Sequence, residues 1–252
     1  MQHLASALRA DTTLRSLDFS FSHINSGGAE HLASALAVNT TVTRLNLGFN
    51  TVGSVGLLHL AGALRANATL TSLDLRSNTL GDASAYHLAS ALAANATLTS
   101  LNVMGIYLTV EGAHALIAVA DSKPNQIKSL CGIGVEMNYI LFYDSSLGAV
   151  DAVLLAFELR INATVTRLNL CHNNIGDVGA QHIAEALKVN ATVTKLDLGC
   201  NHIGAVGAQH ITEALKVNAT VELLDFRGND LVDSSKALLR EAWRHGSGLL
   251  IL

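Results

Sequence analysis

A 28-residue motif recurs eight times along the chain, and residues 165–192, VTRLNLCHNNIGDVGAQHIAEALKVNAT, are its clearest copy. Its strand-opening apolar residue falls at Leu14, Val42, Leu70 and Leu98, and again at Met137, Val165, Val193 and Val221. Every step is 28 except the one from Leu98 to Met137, which is 39, so 11 additional residues, 126–136, stand between the fourth and fifth copies. A unit this short cannot bury its apolar face alone and must stack on its neighbours, so the period predicts a solenoid. The predicted layout is one continuous repeat domain over residues 1–252. It has a partial repeat at 1–13, repeats at 14–125, an insertion at 126–136, repeats at 137–248 and a terminal strand at 249–252.

Within a unit, Leu168-Asn169-Leu170 alternates apolar and polar residues, as a short half-buried strand does. Three residues beyond the strand stands Asn50, Asn78, Asn173, Asn201 or Asn229. Its amide both donates and accepts, so it can satisfy turn backbone that is otherwise buried unpaired. Ser22, Ile106 and Ser145 replace it in three units, and Ile106 cannot do that work, which predicts a local irregularity in the fourth unit.

A helix is then expected after the column Gly28, Gly56, Ser84, Gly112, Asp151, Gly179, Gly207 and Ser235, which are N-cap residue types. Its buried face is carried by pairs four apart, such as Leu32 and Leu36 or Ile183 and Leu187. The column Asp11, Asn39, Asn67, Asn95, Asn162, Asn190, Asn218 and Gly246 is expected to close each helix, mostly with residues that tolerate the left-handed conformation.

The resulting pattern, LxxLxLxxNxIxxxGAxxLAxALxxN, resembles the ribonuclease-inhibitor-like class of leucine-rich repeats over essentially the whole chain. The resemblance implies an α/β solenoid, with a parallel inner sheet of one strand per unit and helices on the outer wall of a horseshoe. The uniform period and the small number of cysteines are more similar to the repeats of NOD-like receptors than to the inhibitor itself. Three roles follow from the class: protein recognition by a scaffold or receptor sensor region, activation of the Ran GTPase, and inhibition of a ribonuclease.

Composition excludes several other classes. Half of the residues are hydrophobic and segment 83–110 lacks Asp, Glu, Lys and Arg, yet Ser84, His87, Ser90, Asn95, Thr97 and Asn102 interrupt it. No run approaches the roughly 18 apolar residues of a spanning helix, so no membrane association is expected. A net charge of -4 with scattered Lys and Arg does not suggest a nucleic-acid partner. Three cysteines without CxxC spacing fit a reducing compartment, and no secretory signal opens the chain, which together predict a cytoplasmic location. The opening MQHLASAL matches the helical half of a repeat, which leaves room for a larger, multidomain chain.

Several tempting motifs have plainer readings. Six N-x-T triplets, at Asn39, Asn67, Asn95, Asn162, Asn190 and Asn218, are formal glycosylation acceptors. Asp11 and Gly246 fill the same column, which a helix-closing role explains and a sugar does not. The histidine ladder His31, His59, His87, His182 and His210 has no companion column of Cys, Asp or Glu, so it is read as repeat inheritance instead of a metal site. Cys171 with His172, and Cys200 with His202, suggest a nucleophile and base, but no third orienting residue accompanies them at a matching column. No catalytic, cofactor or metal residue is predicted, and the chain is read as non-enzymatic.

Function is instead expected on the sheet face, for a protein partner. The outward columns of LxxLxLxx carry Arg44, Arg167 and Lys195 in the first position and Arg76, Met104 and Arg227 in the third, while the second is nearly all Asp and Asn. The fifth unit departs most, with Tyr139, Leu141 and Tyr143 on one strand, after Met104 and Tyr107 in the preceding unit. These residues are either an aromatic hot spot or a patch covered by Ile127, Leu130 and Ile133 of the insertion. At the C-terminus, Trp243 replaces a helix leucine and either shields the last core layer or marks a chain whose repeats continue.

Overall fold

The computed structural model describes residues 1–123, 126–134, 136–243 and 248–252. Two compact units, Met1–Gly132 and Ile133–Leu252, make up the chain. In the first, α1 (Gln2–Ala10), α2 (Ser26–Leu36), α3 (Gly53–Ala66), α4 (Asp82–Ala94) and α5 (Val110–Ser122) alternate with β1 (Ser16–Asp18), β2 (Arg44–Asn46), β3 (Ser72–Asp74) and β4 (Ser100–Asn102). In the second, β5 (Tyr139–Leu141), β6 (Arg167–Asn169), β7 (Lys195–Asp197), β8 (Leu223–Asp225) and β9 (Leu249–Ile251) alternate with α6 (Ala149–Ile161), α7 (Gly176–Leu187), α8 (Ala205–Leu215) and α9 (Asp233–Trp243).

Both sheets are parallel and follow chain order, β1-β2-β3-β4 and β5-β6-β7-β8-β9. Their register repeats the sequence period, with Ser16 beside Arg44 and Arg44 beside Ser72. Leu45, Leu73, Leu168, Leu196 and Leu224 point into the core and meet the helix pairs Leu32 and Leu36, Leu88 and Leu92, and Ile183 and Leu187, all buried. Burying one such side chain contributes roughly 1.5–3 kcal/mol, so each unit is stabilised chiefly by the layer it shares with the next. At the free edge of β1, Leu14 and Leu17 lack that cover and are exposed or half-exposed.

The expected amide after each strand is present as a ladder. Asn50 donates through Nδ2 to the carbonyls of Phe19 (2.8 Å) and Leu47 (2.9 Å), and its Oδ1 accepts from the amides of Ser22 (3.1 Å) and Ile24 (2.8 Å). Asn173 does the same with Phe142, Leu170, Ser145 and Leu147. Every such side chain therefore stitches its own turn to the preceding one. At Ile106 the side chain is buried among apolar groups and the main-chain carbonyl takes over, accepting from the amides of Leu80 (3.3 Å) and Gly81 (3.1 Å).

Two capping expectations are corrected. The column Gly28, Gly56, Ser84, Gly112, Gly179, Gly207 does not precede the helices but lies inside their first turns, buried. Close packing is the reason for its small residues: a Cβ on Gly56 would lie 2.9 Å from Ala29 Cβ in the neighbouring helix, and one on Gly179 would lie 2.8 Å from Ala152 Cβ.

Nor do the helix-closing asparagines adopt the left-handed conformation. Asn67 and Asn95 are extended, with φ -79° and -77°. They are chosen for the side chain, which reaches back one unit: Asn67 Nδ2 donates to the carbonyls of Leu36 (2.7 Å) and Asn39 (3.1 Å), while its Oδ1 accepts from the amides of Thr69 and Leu70. Asn39, Asn95, Asn190 and Asn218 repeat this pattern, so the amide nitrogen that a sugar would need is occupied. Gly246, placed in the same column, lies outside the described residues.

Residues 126–131 do not bulge away as an insertion. Lys128 N–H donates to the Thr99 carbonyl (2.8 Å), and the Ser129 and Leu130 carbonyls accept from Leu101 (3.0 Å) and Val103 (3.1 Å). This segment lies along the edge of β4 as a shortened unit without a helix of its own, and buries Ile127, Leu130 and Cys131. At the C-terminus, β9 pairs with β8 in parallel register, and the half-buried Trp243 indole donates to the Gly248 carbonyl at 3.2 Å. Among the described residues, no helix is long and apolar enough to cross a membrane.

Candidate interaction face

The Asp and Asn column on the outward side of the sheets, broken by Leu141, is part of the turn. In each case Oδ1 accepts from the main-chain amide two residues on: Asn46 from Gly48 (2.9 Å), Asp74 from Arg76 (2.9 Å), Asn169 from Cys171 (2.9 Å), Asp197 from Gly199 (2.9 Å). Such Asx turns bend the chain at the end of a strand.

The residue after each turn then takes the left-handed region. Phe21, Phe49, Ser77, Asp144, His172 and Cys200 have φ between 48° and 58°, and Gly105 and Gly228 complete the column. A non-glycine residue there costs on the order of 1 kcal/mol. The next unit holds it in place, since the amides of Phe21, Phe49, His172 and Cys200 donate to the carbonyls of Gly48, Arg76, Gly199 and Arg227. These side chains are thereby presented as a row beside the sheet face.

In the first unit the row carries a stacked pair, Phe21 on Phe49, with ring centroids 4.3 Å apart and 8° between planes. Phe21 is 69% exposed. The Arg76 guanidinium lies 5.5 Å from the Phe49 ring and 3.3 Å from the Asp74 carboxylate. The sequence reading singled out Arg76 and missed both phenylalanines, because it followed strand alternation, which ends one residue before this column. Arg44 is exposed on β2. Tyr107 is 76% exposed with φ 62°. Met104 is corrected: it is only 4% exposed, because the edge of β4 that would open it to solvent is lined by 129–131.

The second unit brings together most of the remaining candidates. Tyr139, Leu141 and Tyr143 are 49%, 58% and 51% exposed, so they are not enclosed as the covered reading required. Tyr139, Arg167, Lys195 and Leu223 stand in one register row across β5 to β8 and, with Asn169 and Asp197, line a shallow hollow. Arg227 lies beyond the row, with Nε 3.0 Å from Asp225 Oδ1. Tyr143 meets His172 edge-on at 5.2 Å.

Electrostatics vary sharply along the carboxylate column. Burial pushes the Asp74 carboxyl above its ordinary value and the negative charge of Asp18 adds to this, outweighing the Arg76 amide, the Arg76 charge and Asn102. At Asp225 burial acts upward too, but the Arg227 side chain, amide and charge together hold the carboxyl below the ordinary value. Burial, followed by the charges of Asp197, Cys200 and Asp225, raises the Cys171 thiol to about 11. A thiol kept protonated at neutral pH is a poor nucleophile, which weakens the catalytic pairing of Cys171 with His172. His202 instead faces Asp230 at 3.8 Å. The histidine ladder sits on the helices, exposed at His31 and His59 and half-buried at His87, His182 and His210.

The family described as "Leucine Rich repeat" matches residues 10–33, 38–61, 66–89, 162–184 and 189–211. No curated protein matches the chain. Among solved structures, the chain is similar to the tropomodulin C-terminal domain of Caenorhabditis elegans at 13% identity and a TM-score of 0.46, over 52% of this chain and 81% of that one. It is also similar to Leiomodin-1 Actin-Binding Site 2 at 18% identity and a TM-score of 0.39, over 84% and 85%. The matched repeats, the alternation of strand and helix and the parallel in-register sheets give this chain an α/β solenoid fold of leucine-rich repeats.

Proposed function

We propose that the chain is a non-catalytic recognition module that binds a protein partner through the outward face of its sheets, with the hollow of the second unit at the centre. The observation that carries this reading is the row Tyr139, Arg167, Lys195 and Leu223, in which an aromatic ring, two cations and an apolar end line one depression. Tyrosine and arginine are enriched among the few residues that dominate binding at protein interfaces, and clustering in a concavity favours their desolvation. Such a lining suits a segment that offers carboxylates beside an apolar side chain. Leu141, Tyr143 and Arg227 extend the face, while Arg44, Arg76 and Tyr107 offer a second patch on the first unit. The uniform 28-residue spacing supports placing the repeats with the ribonuclease-inhibitor-like class, nearest in pattern to those of NOD-like receptors.

The test is site-directed photo-crosslinking in cell lysate. A photoreactive residue at Tyr139 should capture a defined partner, and one at Val217, 65% exposed just beyond the end of α8, should not. Arg167→Glu with Lys195→Glu should abolish the capture while circular dichroism stays unchanged. Equal capture from both positions, or capture that survives the charge reversal, rules the face out.

A further inference from the structure

Cys171 ends the turn after β6, His172 follows it in the left-handed row, and Cys200 occupies that row one unit later. Repetition brings them together: His172 and Cys200 are separated by one 28-residue period, so they are neighbours on adjacent turns. The two thiol sulfurs and an imidazole nitrogen all lie within 4.8 Å of one another. Both cysteines are half-buried and free, and the histidine is exposed. From this juxtaposition we propose that Cys171, His172 and Cys200 form a binding site for a thiophilic divalent cation of the zinc type, with the fourth position open to solvent or to a partner's side chain.

Donor chemistry and space both support the assignment. Two sulfurs and one imidazole are the three-ligand set that zinc accepts when one position is exchangeable. With bonds of about 2.3 Å to sulfur, tetrahedral ligands stand nearly 4 Å apart, so closure around an ion asks for a movement of about 1 Å. Glycines flank both thiols in the following unit. A Cβ on Gly199 would lie 3.2 Å from Cys171 Sγ, and one on Gly228 would lie 2.5 Å from Cys200 Sγ. Without them the sulfurs would have no room to swing. Tyr143 also meets the imidazole, edge-on at 5.2 Å. The Asp197 and Asp225 carboxylates nearby favour a cation there, although Arg227 offsets the second of them. A bound ion replaces the thiol protons, so binding releases protons to solvent.

The experiment uses the full chain under a non-thiol reductant, titrated with Co²⁺ and then with Zn²⁺ against a chromophoric chelator. Expected are one ion per chain, thiolate-to-cobalt charge transfer with intense visible bands of a tetrahedral site, and a zinc-dependent rise in the thermal midpoint. Cys171→Ser, Cys200→Ser and His172→Ala should each weaken binding by at least about tenfold. The buried Cys131→Ser is the control and should leave affinity and spectrum unchanged. Folding of every variant is checked by circular dichroism. Absence of saturable binding, or binding that persists in the folded Cys171→Ser/Cys200→Ser double variant, overturns the assignment.

Discussion

The Lys123 ammonium donates to the Leu92 carbonyl at 2.8 Å and to the Asn95 carbonyl at 2.8 Å, so that it stands to Leu92 and Asn95 as Asn67 stands to Leu36 and Asn39. The column 11, 39, 67, 95 thus continues to 123 with its step of 28 unbroken, although the residue type has changed. Gln126 follows suit, donating to the Asn95 and Leu98 carbonyls. What the sequence presents as an insertion is the start of a regular unit that stops before its helix.

Lys123→Met should therefore strand the Leu92 carbonyl at the end of α4 and leave the Asn95 carbonyl with Gln126 as its remaining side-chain donor. Losing both charged hydrogen bonds is worth about 1–3 kcal/mol. Urea unfolding should show that loss, and hydrogen exchange should show faster exchange confined to the last turn of α4 and to 126–131. A protection pattern unchanged in those segments would refute the assigned role.

Asn201 is fully buried, donates to the carbonyls of Leu170 (2.8 Å), Leu198 (3.2 Å) and Gly199 (3.0 Å), and accepts from the Ile175 amide (3.4 Å). Asn201→Leu keeps the volume and leaves several buried groups without partners, so it should destabilise by about 2–4 kcal/mol. At the equivalent place Ile106 has no side-chain amide, and the Leu80 amide, which an asparagine Oδ1 would receive, goes to the Ile106 carbonyl instead. Chemical denaturation of the two proteins decides the point; a loss below about 1 kcal/mol would mean that the ladder is decorative.

Two helical glycines should respond in opposite directions. A Cβ on Gly207 would lie 2.6 Å from Ile203 Cγ2, 2.7 Å from Asp177 Oδ1 and 3.0 Å from Ala180 Cβ, so Gly207→Val should cost at least about 1–3 kcal/mol through overpacking. Gly62 sits in α3 with nothing within 4 Å of its missing Cβ, so Gly62→Ala should stabilise by about 0.5–1 kcal/mol. Thermal midpoints of the pair measure both effects, and the same sign for both would contradict the packing argument.

Strand register, the buried helix faces and the post-strand asparagines were legible because each obeys a period that one face of one element imposes. Other features depend on the neighbouring unit, which a single copy of the motif does not display. The glycine column reads as an N-cap until Ala29 and Ala152 are found against it. The closing asparagines read as left-handed caps until their amides are found reaching back to the previous helix. Phe21, Phe49, His172 and Cys200 escaped notice as a row because the left-handed turn breaks the alternation used to sort inward from outward residues. Met104 was misread for a related reason: the segment lining its strand, 129–131, interrupts the regular alternation of strand and helix.

Asp74 offers a signature in pH. Its carboxyl is raised by burial and by Asp18, against the pull of Arg76 and Asn102, so the folded chain holds that proton more tightly than the unfolded chain. The stability tied to this group is present below the unfolded value of about 3.9 and is lost as pH rises through the higher folded value. Asp74→Asn removes the titration while keeping an Oδ1 for the Arg76 amide, the arrangement already found at Asn46 and Asn169. The stability of the wild type relative to Asp74→Asn should thus decline between pH 3 and pH 7, as read from urea midpoints at each pH on the two proteins side by side. A relative stability that climbs over the same interval would show that the Arg76 ion pair, and not burial, governs this carboxylate.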